Sequence, residues 1–363
     1  MIEPECILHL EQVPIQQNRV YFSHEEAIAC PKGDIALVQD PVTGIVHNAA
    51  FDGKSMVYDE NYQNEQGCSG VFKEHLDQVA TTVQRYLGAG SVVEVGCGKG
   101  TFLELLRLRG CHVVGVDPAY EGDASYVVRS QFSSSLGLTG DVVVLRHVLE
   151  HIPQPLSFLD SVAEANRRAG FIYIEVPCLD WIRENRAWFD IYYEHVNYFR
   201  LQDFNRCFSR VIESGRIFGG QYLYAIADLA SLQSVSEYGG DQFHFGVGFM
   251  AGVDGIISRL DADKSRRVCI WGGASKGVVF AHHLQRGGKL AAEFAIDINP
   301  AKQGGFFPGS GLPVLSPEEG LWRLSDGDVV IVMNPNYLNE VRQKTGDRFS
   351  YWLVDGIGKS LIS

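Results

Sequence analysis

Side chains that can move protons crowd one short segment of the sequence, residues 188–199. Within it lie Tyr192, Glu194 and His195. A histidine can accept a proton near neutral pH, a tyrosine hydroxyl can donate to a developing enolate oxygen, and a carboxylate can fix the tautomer of an imidazole. The segment could equally be a partly buried aromatic cluster with a satisfied histidine, and the residue types alone leave both interpretations open.

A second candidate site is the glycine-rich turn that follows the apolar run at 92–95. Its pattern is Glu-x-Gly-x-Gly-x-Gly, and a helical stretch, Thr101–Arg109, comes after it. Glycines in such a turn adopt positive φ and let backbone amides approach a ligand. The residues that would contact the ligand are Glu94, Gly96, Cys97, Gly98 and Gly100.

An acid at the end of the next predicted strand completes this site. Asp117 follows the strand at His112–Val116, where a carboxylate can hold both hydroxyls of a ribose. Dinucleotide-binding loops have the pattern Gly-x-Gly-x-x-Gly instead, and Glu94 would repel a pyrophosphate. Because a carboxylate can pair with an ammonium group, we expect a ligand that carries both a ribose and an aminoacyl group. A structural glycine turn and a nicotinamide site are the alternatives.

The turn, the acid after it and the segment following the fourth predicted strand resemble class I S-adenosylmethionine (SAM) methyltransferases. Residues 146–152 read Arg-His-Val-Leu-Glu-His-Ile. The resemblance implies SAM as the cofactor, with Arg146 and His147 at the methionine end of its site. No acid follows the third predicted strand to accept from the adenine amine, and Ser130 and Gln131 are the nearest polar candidates.

Residues 191–195 read Ile-Tyr-Tyr-Glu-His and look like the Ile-Tyr-x-Glu-His motif of deoxysugar C-methyltransferases, which methylate carbon 3 of dTDP-linked 4-keto sugars. The resemblance implies that His195 is the general base, that Glu194 orients it, and that Tyr192 or His151 donates to the substrate oxygen. That family also uses a histidine just after the fourth strand, which corresponds to His151. Its tyrosine before the cofactor domain corresponds, more loosely, to Tyr62.

The apolar runs predict an α/β fold in three parts that would position these residues. Residues 1–56 form a small β-rich segment without a helix, 57–230 a class I methyltransferase domain with a Rossmann-like parallel sheet, and 231–363 a second, Rossmann-like C-terminal domain. The predicted strands of the first part are Arg19–Phe22, Ile35–Gln39 and Ile45–Asn48. Those of the second are Ser91–Val95, His112–Val116, Asp141–Leu145 and Phe171–Glu175, with a closing hairpin of Val211–Phe218 and Gln221–Ala227. Those of the third are Val268–Trp271, Glu293–Asp297, Val329–Met333 and Tyr351–Asp355.

The predicted C-terminal domain carries its own glycine loop, Gly272–Gly277, before a helix at Ser275–Gln285. Lys276 adds a positive charge to it, and Asp297 ends the next strand, where a ribose acid would sit. This region also resembles the C-terminal domain of the deoxysugar C-methyltransferases. Nucleotide binding and a purely structural role are equally open, because a shared fold does not establish a site.

Composition and charge exclude several classes of function. Because 31 Lys and Arg face 44 Asp and Glu, the net charge is −13, and nucleic acid is not expected as a partner. The apolar runs are too short to cross a bilayer, so no membrane association is expected. The first twelve residues carry acids and no basic start, which argues against secretion and predicts a cytoplasmic location.

No metal is expected. Cys6, His9 and Cys30 superficially resemble part of a zinc site, but structural zinc needs four ligands. The deoxysugar C-methyltransferases that the sequence resembles carry a four-cysteine zinc module in this region, and this chain keeps only Cys6 and Cys30. The eight cysteines include no Cys-x-x-Cys pair and are expected to be reduced thiols.

Taken together, the residues predict a SAM-dependent C-methyltransferase acting on a small molecule. The expected substrate is a nucleotide-linked deoxysugar, methylated at a carbon next to its keto group with His195 as the base. One alternative is C- or O-methylation of a different natural-product scaffold. The others are a nucleotide-sugar-binding or scaffold protein without catalysis, and an oxidoreductase that binds a nicotinamide cofactor in its C-terminal domain.

Overall fold

The computed structural model describes residues 5–56, 61–65, 67–88, 90–235, 237–262, 265–288, 292–354 and 361–362. The strands are β1 (Cys6–Pro14), β2 (Lys32–Gln39), β3 (Val46–Asn48), β4 (Ser91–Val95), β5 (His112–Val116), β6 (Val127–Val128), β7 (Val142–Arg146), β8 (Phe171–Pro177), β9 (Asn197–Tyr198), β10 (Val211–Ile217), β11 (Tyr222–Asp228), β12 (Val268–Trp271), β13 (Phe294–Ile296), β14 (Val314–Leu315), β15 (Val329–Val332), β16 (Ser350–Leu353) and β17 (Leu361–Ile362). The helices are α1 (His24–Ile28), α2 (Gly70–Gln84), α3 (Thr101–Leu108), α4 (Pro155–Ala165), α5 (Leu179–Glu184), α6 (Leu201–Cys207), α7 (Gly252–Ala262), α8 (Ser275–Arg286), α9 (Pro317–Trp322) and α10 (Leu338–Thr345).

The N-terminal sheet has the order β1-β2-β3-β9, so its last strand comes from the segment that carries the candidate base. Two expectations for this region were wrong. Arg19 and Tyr21 make only isolated bridges, and the missed strand β1 pairs with β2 instead. A short helix, α1, also forms, because the Ser23 side chain accepts a hydrogen bond from the Glu26 amide and caps its first turn.

The middle sheet has the order β10-β11-β8-β7-β4-β5-β6. The five strands β4 to β8 run parallel to one another. Strand β11 lies between β8 and β10 and is antiparallel to both. This is the class I methyltransferase sheet that the sequence predicts, closed by the predicted hairpin. Both of its faces are buried: Val93 and Leu145 pack on one side, and Val92 and Val144 pack on the other.

The C-terminal sheet has the order β14-β13-β12-β15-β16-β17 and is parallel except for β17. The chain therefore adopts the two successive α/β folds expected from the sequence. Asp355, the end of the last predicted strand, and residue 57, the predicted start of the middle domain, lie outside the described residues. None of the described helices combines the length and apolarity needed to cross a bilayer.

Candidate active site

One cleft lies between the carboxyl ends of the middle and C-terminal sheets. Residues after β7 and β8 form one wall, and residues at the ends of β12, β13 and β15 form the opposite wall. Asn18 and Tyr62 add a contribution from the N-terminal part of the chain. Its empty volume is about 1460 Å³ with the open mouth included.

The first glycine loop has the backbone that the sequence predicts. Gly96, Gly98 and Gly100 adopt φ values of +74°, +54° and +79°. The carboxylate of Asp117 accepts hydrogen bonds from the backbone amides of Gly98 and Ala119, each at 2.8 Å. A Cβ on Gly98 would meet no heavy atom within 4 Å, so the space beside the loop is open to a ligand.

Glu94 lies behind this loop and is only 2% exposed. Its Oε2 atom has no hydrogen-bond partner. Burial raises the pKa of Glu94 to about 8, against the effect of Arg146, and the negative charges of Asp117 and Glu175 raise it further. An orphaned carboxylate oxygen in a dry site fits a cationic ligand group, because such a group would restore the missing partner. SAM carries such a group, so the loop, Asp117 and Glu94 fit this cofactor.

The side chain of Cys97 points away from the ligand site, although the residue lies within the glycine loop. Its side chain packs in the core beside α3, where a Cβ on Gly115 would lie 2.8 Å from the sulfur. Burial raises the pKa of the thiol. Only the backbone of Cys97 is therefore available to a ligand.

A buried charge network below the cleft was missed by the sequence analysis. The carboxylate of Glu175, fully buried at the end of β8, lies 2.9 Å from Nε2 of His75, 3.3 Å from Arg146 and 3.1 Å from Nε2 of His147. The hydroxyl of Tyr173 donates to it at 2.8 Å. An acid inside an otherwise apolar strand, and a histidine on the buried face of α2, were the available signals.

This network sets the protonation of His147, which reaches the cleft. The residue adopts a φ of +53°, a strained value for a non-glycine side chain. Desolvation favours the neutral ring, but hydrogen bonds and charges from Glu150 and Glu175 raise the pKa of His147 to about 9. Arg146 lies 4.9 Å from the centre of the Phe102 ring, and its positive charge helps to keep Glu175 ionised.

The segment that carries the candidate base is buried throughout and fixed on two sides. On one side β9 pairs with β3, and the Asn197 amide donates to the Ile152 carbonyl at 2.7 Å. On the other side, the ring of Trp188 stacks on Phe280 of α8 at 5.8 Å. The aromatic-cluster interpretation is therefore correct for its outer residues, while Tyr192, Glu194 and His195 line the cleft.

Tyr192 is committed to a partner within this segment. Its hydroxyl donates to Oδ1 of Asp190, and Oδ2 of Asp190 lies 2.7 Å from the ammonium of Lys276. The Lys276 ammonium also donates to Gln221, at 2.8 Å. An ion pair thus joins the second glycine loop to the segment of the candidate base, a contact between residues 86 positions apart in the sequence.

Glu194 was expected to orient the ring of His195, but its carboxylate hydrogen-bonds to other residues. Its carboxylate accepts from the Gln17 amide at 2.5 Å and from the hydroxyl of Tyr62 at 2.6 Å. The sequence analysis named Tyr62 as a site residue but not as a partner of Glu194, and it missed Gln17, which lies in a segment with no recognisable motif. The bond does bring Tyr62 into the site, and burial raises the pKa of Glu194.

The rings of His151 and His195 contact each other edge to face, with ring centres 5.0 Å apart. Nδ1 of His151 donates to the backbone carbonyl of Glu194 at 2.9 Å, which leaves the lone pair of its Nε2 free. His195 is 8% exposed, and its Nδ1 has no hydrogen-bond partner. Burial and the neighbouring His151 hold the pKa of His195 well below its usual value, so its ring is neutral.

The second glycine loop repeats the hydrogen bonds of the first to a strand-ending acid, although Gly272 is its one glycine with positive φ, at +117°. The carboxylate of Asp297 accepts from the amides of Gly273 and Asn299 at 2.6 and 2.7 Å. Lys276 and Asp297 both line the cleft.

The three residues considered for zinc lie elsewhere. Cys6 and His9 are exposed on β1, and Cys30 is buried. Among the described residues, the group with metal-ligating atoms within reach of one another consists of Glu150, His151 and His195 instead.

Comparisons with known proteins agree with this organisation. A family model described as a methyltransferase domain matches residues 71–211, and one described as a C-methyltransferase C-terminal domain matches residues 254–352. The chain is 26% identical over 333 residues to the C-methyltransferase NovU of Streptomyces niveus, covering 80% of this chain and 79% of that protein. It is 33% identical over 95 residues to a mitochondrial ubiquinone biosynthesis O-methyltransferase of Schizosaccharomyces pombe, covering 22% of this chain and 35% of that enzyme.

Solved structures resemble part of the chain, with low TM-scores. A SAM-dependent methyltransferase from Archaeoglobus fulgidus is 19% identical, with a TM-score of 0.33, and covers 43% of this chain and 97% of its own. The N-methyltransferase NodS of Bradyrhizobium japonicum is 16% identical, also with a TM-score of 0.33, and covers 46% of this chain and 97% of its own.

Proposed function

Since the chain is a SAM-dependent C-methyltransferase, we propose that it methylates a carbon next to the keto group of a nucleotide-linked deoxysugar. One observation carries this proposal: two histidines with uncommitted ring nitrogens, His151 and His195, line the same cleft as Asp297, the strand-ending acid of the C-terminal domain. Removing a proton from carbon requires such a base, whereas many oxygen nucleophiles react without one.

The middle domain would hold the cofactor. Asp117 is the ribose acceptor, Glu94 the partner of the cationic aminoacyl end, and Gly96–Gly100 the backbone that approaches it. Arg146, whose charge acts on Glu94, and His147, which contacts Glu175 beside Arg146, would line the methionine end of this site. When bound, SAM supplies a methyl group activated by an adjacent positive sulfur.

His195 is the proposed proton acceptor. A keto group acidifies the hydrogens on the neighbouring carbon, so an imidazole nitrogen can take one of them. The electron pair of the broken carbon–hydrogen bond then spreads onto the keto oxygen and makes the carbon nucleophilic. The neutral ring of His195 is ready for this step, and its Nδ1 has no competing hydrogen bond.

Tyr192 is the proposed donor to the keto oxygen; His151, the other candidate, could donate from Nε2 only as an imidazolium, because its Nδ1 already donates to the Glu194 carbonyl. The hydroxyl of Tyr192 would first leave Asp190, at a cost of roughly 1.5–3 kcal/mol for a hydrogen bond to a charged group. The contact with Lys276 leaves the Asp190 carboxylate with a partner when Tyr192 turns away. A stronger hydrogen bond to the developing enolate oxygen offsets this cost.

The C-terminal domain would hold the nucleotide. Asp297 accepts from two backbone amides that correspond to those bound by Asp117, a geometry suited to a second ribose. The N-terminus of α8 offers positive potential for phosphate groups, and Lys276, which is ion-paired with Asp190, lies in its first turn. A nucleotide bound there would place its sugar in the cleft near His195, because both belong to the same cavity.

The proposal is tested by supplying the enzyme with SAM and a nucleotide-linked 4-keto deoxysugar. We expect a product heavier by one methylene unit, with the new carbon bonded to carbon by NMR. The matched control is the same nucleotide sugar with its keto group reduced to a hydroxyl, which should not react. Methylation of the reduced sugar at oxygen would overturn the proposal.

A further inference from the structure

The residues around the candidate base also have the arrangement of a metal site. Glu150, His151 and His195 each offer a ligand atom, and these three atoms lie within 4.8 Å of one another. We propose that they form a binding site for a divalent transition-metal ion of the zinc class, whose occupancy blocks methyl transfer.

The free atoms of this cluster are suited to coordination. Oε2 of Glu150, in a residue 1% exposed, has no hydrogen-bond partner, and neither does Nδ1 of His195. Oε1 of Glu150 lies 3.3 Å from Nδ1 of His147. Buried polar atoms without partners are costly, and a cation would satisfy both at once.

His151 has the second contact that metal-binding histidines usually make. Nδ1 of its ring donates to the Glu194 carbonyl at 2.9 Å, which fixes the tautomer and leaves Nε2 as the ligand atom. Two imidazoles and one carboxylate suit zinc and its neighbours in the first transition row. Zinc–ligand bonds are ~2.0–2.2 Å long, so ligand atoms up to 4.8 Å apart must move closer together by side-chain rotation to converge on one ion.

The position of the site determines its effect. Ligand atoms from three residues leave at least one coordination position open toward the cleft. An ion held there uses the lone pairs of both histidines, so neither can accept a proton from the substrate. This consequence depends on the proposed function, whereas the binding itself does not.

The binding is tested with cobalt, which reports its ligands by colour. Chelator-stripped protein titrated with Co²⁺ alone should develop weak visible bands of a nitrogen- and oxygen-ligated ion, which Zn²⁺ then removes. Glu150→Gln and His195→Gln should each weaken the affinity by at least ~100-fold, since even outer contacts of metal sites are worth ~10–100-fold. The matched control His112→Gln changes an exposed histidine on β5 and should bind as the wild type does.

Two results would overturn the proposal. One is an intense near-ultraviolet band from sulfur ligands with no visible bands of the expected kind, which would place the ion on a thiol such as Cys68. The other is unchanged affinity in both variants, with SAM binding used to show that they fold.

Activity separates this inference from the proposed function. Zn²⁺ should inhibit methyl transfer by the wild type, and a chelator should restore it. An enzyme that binds Co²⁺ as described but never methylates a keto sugar would contradict the proposed function and leave the metal site standing. An enzyme that methylates the sugar and shows neither Co²⁺ bands nor Zn²⁺ inhibition would contradict the metal site and leave the proposed function standing.

Discussion

The two glycine loops make the same pair of hydrogen bonds to a strand-ending acid but differ in the charged side chains beside them. In each, a loop amide and the amide two residues after the strand-ending acid bind that acid, Asp117 in one domain and Asp297 in the other. The first loop is preceded by the buried acid Glu94. The second has apolar Ile270 at the corresponding position and Lys276 within the loop. Under the proposed function, the shared fold supplies a ribose acceptor in each domain, and one or two neighbouring side chains select a cationic or an anionic ligand.

The largest expected effect comes from filling the first loop. Gly98→Val should abolish measurable SAM binding by calorimetry, because its side chain would occupy the open space beside the loop. A branched residue at a φ of +54° is also strained. Gly110→Val is the matched control: that glycine has a φ of +86° and equally open surroundings, but lies in a surface turn away from the loop. Equal loss of SAM binding in both variants would point to strain alone.

The two acids should separate the two ligands. Asp117→Ala should weaken SAM binding, and Asp297→Ala should raise the KM for the nucleotide sugar while leaving SAM affinity unchanged. Each removes charged hydrogen bonds worth ~1.5–3 kcal/mol, or about 10- to 150-fold. If Asp297→Ala weakened SAM binding as much as Asp117→Ala, the comparison between the loops would fail.

The charge of Glu94 should make SAM binding depend on pH. The pKa of Glu94 is about 8, and a cationic ligand pairs with its ionised form. SAM affinity should therefore rise by up to about tenfold per pH unit below this pKa and level off above it. Glu94→Gln should bind more weakly and without this slope. A wild-type profile as flat as that of the variant would remove Glu94 from the cofactor site.

Local features of the fold were predictable from the sequence. The buried runs Ser91–Val95, His112–Val116 and Val268–Trp271 form strands with the expected bounds, because continuous apolar residues suit strands covered on both faces. The strand Cys6–Pro14 was missed: its residues alternate irregularly in burial, and register shifts interrupt its pairing with β2. Its strand character depends on its partner.

The candidate site was predictable only where it is local in sequence. The glycine loop and the segment around His195 are short motifs, so both could be located from the sequence as candidate sites. The contacts of His75 with Glu175 and of Asp190 with Lys276 join residues 100 and 86 positions apart. Such contacts depend on how strands and domains pack, which no local pattern records.

The central claim is that His195 takes a proton from the carbon that is methylated. The most direct measurement is hydrogen exchange at that carbon, in heavy water without SAM and with a chelator present. The wild type should exchange the hydrogen for deuterium; His195→Ala should not, while still binding SAM and losing ~100- to 10,000-fold in turnover. Near-normal exchange and turnover in His195→Ala would show that this histidine belongs to the aromatic cluster and that the base is a different residue.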